Sequence, residues 1–227
     1  MSAYLQGFLY GIYPYICLAI FLLGSLVRFD REQYTWRSES SQLLRRGQLR
    51  WGSNLFHIGI LFLFFGHLVG LLTPHSVYEV LITAQAKQLL AMISGGIAGL
   101  MCLVGLLLLI HRRLGEPRLR ATSNIMDFVV LFWILATLLL GLVSIFVSSR
   151  HLDGSVMLLL SQWAQHIVTF HAGAAAVLVP APLIYKIHLF FGMTLFLLFP
   201  FSRLVHVWSG FAALGYVTRA YQVVRSK

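Results

Sequence analysis

SNLFHIGILFLFFGHLVGLL, residues 53–72, runs for twenty positions without a charged side chain, yet it carries His57 and His67. A run this long and apolar crosses a hydrocarbon layer about 30 Å thick, and it does so as a helix because backbone in lipid must satisfy its own hydrogen bonds. An imidazole in such a helix has lost its water and needs a partner, so intramembrane histidines are uncommon and mark function. A second stretch, IHLFFGMTLFLLFPFSRLVHVW at 187–208, carries His188 and His206.

The whole chain reads the same way. Apolar residues make up 59% and charged residues 11%, where a soluble domain carries roughly 25% charged; mean hydropathy is +0.82. Five stretches are long enough to span: 4–27, 54–72, 89–110, 128–147 and 183–207. The expected fold is therefore an all-α integral membrane protein, one transmembrane domain over 1–227 with five transmembrane helices. No Lys or Arg precedes Arg28 and the first apolar run is too long for a signal peptide, so it is expected to be retained. Cys17 and Cys102 both fall inside apolar runs, and there is no CxxCH. That leaves no disulfide framework and no covalently attached c-type haem.

The net charge of +10 reports topology, not nucleic-acid binding. Arg28, Arg31, Arg37, Arg45, Arg46 and Arg50 follow the first run; Arg112, Arg113, Arg118 and Arg120 follow the third; Arg203, Arg219, Arg225 and Lys227 close the fifth. Only Lys87, Arg150 and Lys186 fall on the other side. By the positive-inside rule the basic segments are cytoplasmic, with the N-terminus outside and the C-terminus cytoplasmic. The segment 155–180 is apolar enough to suggest a sixth span. However, Ser155, Gln162, Gln165, His166 and Thr169 recur at helical spacing, which favours an interfacial helix over 155–171. Two glycine pairs four apart, Gly66 with Gly70 and Gly95 with Gly99, permit close helix contact or close approach of a flat macrocycle.

Five crossings make the second and fifth runs antiparallel. His57 and His206 then share the inner depth, and His67 and His188 the outer one. Two helices offering paired imidazoles at two depths are what two stacked haem b groups with bis-histidine ligation require. Along ideal helices the rise from 57 to 67 is roughly 15 Å and from 188 to 206 roughly 27 Å. On such a helix 188 and 206 share a face. Zinc would need its ligands gathered into one tetrahedron, which this spread does not offer. Bis-imidazole ligation leaves no open position and so points to electron transfer. His75, His111, His151, His166 and His171 fall at run ends or in the outer loop, where water is available.

The chain resembles the gamma subunit of the membrane-bound respiratory nitrate reductase, a five-span di-haem cytochrome b. The resemblance runs through YPYICLAIFLLGSLVRFDREQYTWRSESSQLL (13–44), SNLFHIGILFLFFGHLVGLLTPH (53–75), GMTLFLLFPFSRLVHVWS (192–209) and TRAYQVVR (218–225). It is weakest over 173–186 and 210–214. The resemblance implies haem ligands at His57 and His206 (inner) and His67 and His188 (outer). It also matches the family's lysine near the outer haem to Lys87. A quinol site is then expected at Lys87, Gly66 and His67, where the ammonium would hydrogen-bond a quinol oxygen. A lysine reaching out to the interface is the plainer reading of the same residue.

The substrate implied is ubiquinol or menaquinol, with protons released to the periplasm. Electrons are expected to pass to an iron–sulfur beta subunit and a molybdenum-containing alpha subunit on the cytoplasmic face. The location implied is the bacterial inner membrane, multi-pass. Arg203, one turn before His206, is a candidate partner for a haem propionate, with Arg37, Arg112 and Arg113 of the same kind. The segment 28–50 and the tail 218–227 are the surfaces available for docking. Two other functions remain open at this stage. One is the cytochrome b anchor of another respiratory complex, of formate dehydrogenase or hydrogenase type. The other is a haem-free transporter relaying protons, for which Asp127 is the only acidic residue near an apolar core.

Overall fold

The computed structural model describes residues 2–32, 36 and 46–210. Arg37 and the 218–227 tail lie outside them. Among the described residues the secondary structure is helical throughout. Five helices among these residues are long and apolar enough to cross a membrane: Ala3–Arg31, Gly47–Leu72, Ala84–Gly115, Ile125–Ser148 and Leu183–Phe201. The five expected runs are all present; the second, third and fourth begin earlier, and the first and third end later, by more than one residue each, because charged residues join the helices at their ends.

The first span is not a plain α-helix. Its ladder widens into π turns at Phe8–Ile12 and Ile20–Gly24. Pro14 has no N–H to offer the carbonyl of Tyr10 four residues earlier. The indole N–H of Trp163 donates to that carbonyl instead, at 2.9 Å. Gly24 lies where a Cβ would come within 2.8 Å of the Pro200 ring, so the first and fifth spans meet closely there.

Packing seams run second to third, third to fourth, fourth to fifth and fifth to first. The second–third seam is built on small residues. A Cβ on Gly59 would fall 2.7 Å from the backbone nitrogen of Cys102 and 2.8 Å from the carbonyl of Ala98. Gly52 and Gly105 face each other in the same way, with Gly105 against the backbone of Phe56. This corrects one reading of the glycine pairs. A Cβ on Gly66, Gly70 or Gly95 would meet nothing within 4 Å, and only Gly99 is in a close contact, with Leu142. No comparable seam joins the second and fifth spans among the described residues, and there the histidine rings meet.

Two buried clusters hold the bundle. Cys102, Leu106, Ile110, Val130, Ile134 and Leu138 fill the space between the third and fourth spans. Tyr10, Trp163, Ala164, Ile167, Leu178 and their neighbours form the other, between the first span and the segment linking the fourth and fifth spans. The segment expected to lie in the interface forms a helix over Ser155–Val168. Its Gln165 amide donates to the carbonyls of Leu71 (3.0 Å) and Thr73 (3.3 Å), capping the last turn of the second span. Gln88 ties the preceding loop down: its amide donates to the Ser148 hydroxyl and the His151 carbonyl, and its oxygen accepts from Gly154.

The fifth span does not continue to 207. The α-helix runs Leu183–Leu198, passes through a 3-10 turn at Phe199–Phe201, and opens at Ser202 (φ −128, ψ 176). A second 3-10 turn, Arg203–Val205, leads into the helical stretch that begins with His206. Pro200 is the cause, since it cannot extend the hydrogen-bond ladder and crowds the turn before it. The expectation that 188 and 206 share one helical face, roughly 27 Å apart along it, is therefore replaced by a broken span.

Candidate functional site: two facing pairs of histidines

The rings of His57 and His206 face each other at 6.2 Å between centroids, with planes at 72°. Those of His67 and His188 are 6.1 Å apart at 46°. An imidazole nitrogen binds a first-row metal at about 2 Å, so two rings on opposite sides of one ion put their centroids about 6 Å apart. Both pairs fit that separation.

The other ring nitrogens are equally informative. Nδ1 of His57 donates to the carbonyl of Ser53 at 2.8 Å, and Nδ1 of His67 to that of Leu63 at 2.7 Å. For His206 the acceptor is Arg203 (2.6 Å), and for His188 it is Thr137 of the fourth span (3.1 Å). A carbonyl can only accept, so each Nδ1 carries its proton and each neutral ring keeps a lone pair on Nε2. This is the tautomer of a metal-bound histidine steadied by a backbone carbonyl. Among the described residues no three His, Cys, Asp or Glu side chains gather as a metal-ion cluster. Two opposed imidazoles could instead hold an iron already carried in a planar macrocycle.

Glycines line the site. Gly66, beside His67, and Gly192, one turn after His188, have open space where a Cβ would stand. Gly141 of the fourth span does the opposite: a Cβ there would come 3.1 Å from Cε1 of His188. Thr137 and Gly141 together seat that ring, and neither stood out in the sequence. Their role depends on a contact between spans, and the only local sign is a polar and a small residue one turn apart in LATLLLGL.

Lys87 opens the third span at the end nearest His67 and His188. Its side chain is folded in, not extended to the interface. Nζ lies 3.6 Å over the Tyr78 ring, a cation–π contact, and has no hydrogen-bond partner among the described residues. The Tyr78 hydroxyl is buried without a partner as well. Outside the spans, burial pushes the Tyr78 hydroxyl above its ordinary pKa, with the Glu79 charge adding to the effect.

At the other end, Asp127 is buried among arginines. Arg203 grips its carboxylate with Nε (2.7 Å) and Nη2 (2.6 Å), and Arg113 reaches it at 3.1 Å. Asp127 also closes a capping box with Asn124 at the start of the fourth span. Arg28 of the first span donates to the carbonyls of Pro200 (2.7 Å) and Ser202 (2.8 Å). Sequence reasoning named Arg203, Arg113 and Asp127 separately but not their pairing.

A family model described as nitrate reductase gamma subunit matches residues 6–227. The respiratory nitrate reductase 2 gamma chain of Escherichia coli (strain K12) is 52% identical over 228 residues, covering 100% of both chains. The respiratory nitrate reductase 1 gamma chain of the same organism is 50% identical over 224 residues, 99% of each chain. The nitrate reductase gamma chain of Bacillus subtilis (strain 168) is 37% identical over 220 residues, 96% of this chain and 97% of its own.

Proposed function

The chain belongs to the nitrate reductase gamma subunit family, and from that premise we propose that it is the quinol-oxidising di-haem cytochrome b of the complex. In this reading His57 with His206 would hold one b haem and His67 with His188 the other. The observation that carries it is the pair of opposed imidazoles, each ring fixed through Nδ1 to a carbonyl and offering Nε2. Bound there, the haems supply one-electron carriers at two depths, linking quinol at one end to the partner subunits at the other.

The chain's own residues do the rest. Lys87 presents a buried ammonium over the Tyr78 ring, where it donates to a quinol oxygen and favours release of the hydroxyl proton. Gly66 leaves room for a flat ring next to His67. The Nζ supports this role: it has no hydrogen-bond partner among the described residues, and a buried ammonium lacking one is costly unless a ligand supplies it. Arg203 already spends two guanidinium nitrogens on Asp127. We therefore assign it to holding the chain near His206 before any propionate.

Basic residues gather at one end of the bundle, which supports a cytoplasmic placement of that end, with the N-terminus outside. We place the iron–sulfur beta subunit there, with the molybdenum-containing alpha subunit beyond it and the bacterial inner membrane around the spans. Protons from quinol then leave on the periplasmic side. The test is a reduced-minus-oxidised spectrum and redox titration of the purified complex. Two b-type centres with separate potentials are expected, and replacing any one of the four histidines should remove or convert one centre. A colourless protein expressed with ample haem would overturn the reading.

A further inference from the structure

Three of the imidazoles donate to carbonyls held in long helices: Ser53 and Leu63 in the second span, Thr137 in the fourth. His206 is different. Its acceptor, the carbonyl of Arg203, lies past the break at Pro200, in a 3-10 turn of three residues. In the backbone that carbonyl takes the N–H of His206 itself, a bond internal to the short turn; side chains tie the turn to the rest of the bundle. Arg28 holds the carbonyls of Pro200 and Ser202 from the first span. The Ser202 hydroxyl accepts from the N–H of Leu204 at 3.2 Å. The Arg203 side chain is itself clamped by both oxygens of Asp127.

Asp127 is well placed for this task. Its side chain is only 6% exposed, it sits in the first turn of a span, and the Asn124 N–H (3.1 Å) and Arg113 (3.1 Å) fix it from two further directions. A planar guanidinium held on two bonds has one orientation, which single-point contacts do not impose.

We propose that Asp127 is the positioning residue of the inner histidine pair: through the Arg203 fork it fixes the peptide carbonyl to which His206 donates, and so aims the His206 ring. The carboxylate touches neither imidazole. It acts through one side chain and one peptide, the arrangement by which partners beyond the ligands orient a metal-binding histidine. This rests on the di-haem reading.

The test uses the full complex carrying Asp127→Ala, Asp127→Glu or Arg203→Lys. Arg203→Lys breaks the fork while Arg113 still neutralises the carboxylate, so it guards against simple misfolding. Haem content, midpoint potentials and the ferric low-spin electron paramagnetic resonance signal are read for each centre. Asp127→Ala and Arg203→Lys should weaken inner-haem retention by about 10-fold or more and shift that centre's signal and potential, with the outer centre as wild type. Asp127→Glu should restore part of the difference. An inner centre unchanged in both disrupting variants, or loss of both centres in parallel, overturns the role of Asp127. Failure of the di-haem reading looks different, since wild type itself would then lack two b-type signals.

Discussion

His188 rests against Gly141, so closely that a methyl group on Gly141 would stand 3.1 Å from the ring's Cε1. Gly141→Ala must therefore push the imidazole by a few tenths of an ångström, and Gly141→Val by more. The expected result is an altered potential and signal for the outer centre, with the inner one unchanged. Redox titration of the two b-type absorbances checks it.

Lys87→Ala removes the ammonium over Tyr78 without touching a histidine. Both spectral centres should persist, while quinol oxidation falls by about 100-fold or more. Stopped-flow reduction of the haems by a quinol analogue makes the measurement. Reduction at the wild-type rate would strike Lys87 from the site.

Gly59→Val drives a branched side chain into the backbone of Ala98 and Cys102. Overpacking of this kind costs about 1–3 kcal/mol, visible as a lower Tm in detergent. His57 and His67 both ride on the displaced span, so both centres should be affected together. That pattern is opposite to the one expected for Gly141→Ala.

Trp163→Phe leaves the Tyr10 carbonyl without its donor. An unsatisfied buried carbonyl costs about 1–3 kcal/mol, so thermal stability should drop with little change in either centre. An unchanged Tm would mean that the first span recovers its own ladder around Pro14.

The spans were legible because hydropathy is a local property, and the opposed histidines followed from counting crossings between them. What escaped depends on contacts between helices. The spacing of Gly66 with Gly70 looked like a packing motif, yet the true seam uses Gly52, Gly59 and Gly105, whose partners lie on another span. Asp127 was visible as a lone acid near an apolar run. Only the folded chain brings Arg113 from one side and Arg203 from the other. Pro200 was in plain view within FPFSR, but the uninterrupted apolarity around it masked the break.

That break separates two mechanical parts. In an unbroken rod, any rotation of Leu183–Leu198 would be carried by about 100° per residue of fixed geometry down to residue 206. With Ser202 extended, no continuous helical ladder carries that geometry past it. Each ring can then be trued to its own neighbours, one by Thr137 and Gly141, the other by the Arg203 turn, and adjustment at one end of the bundle leaves the alignment at the far end intact.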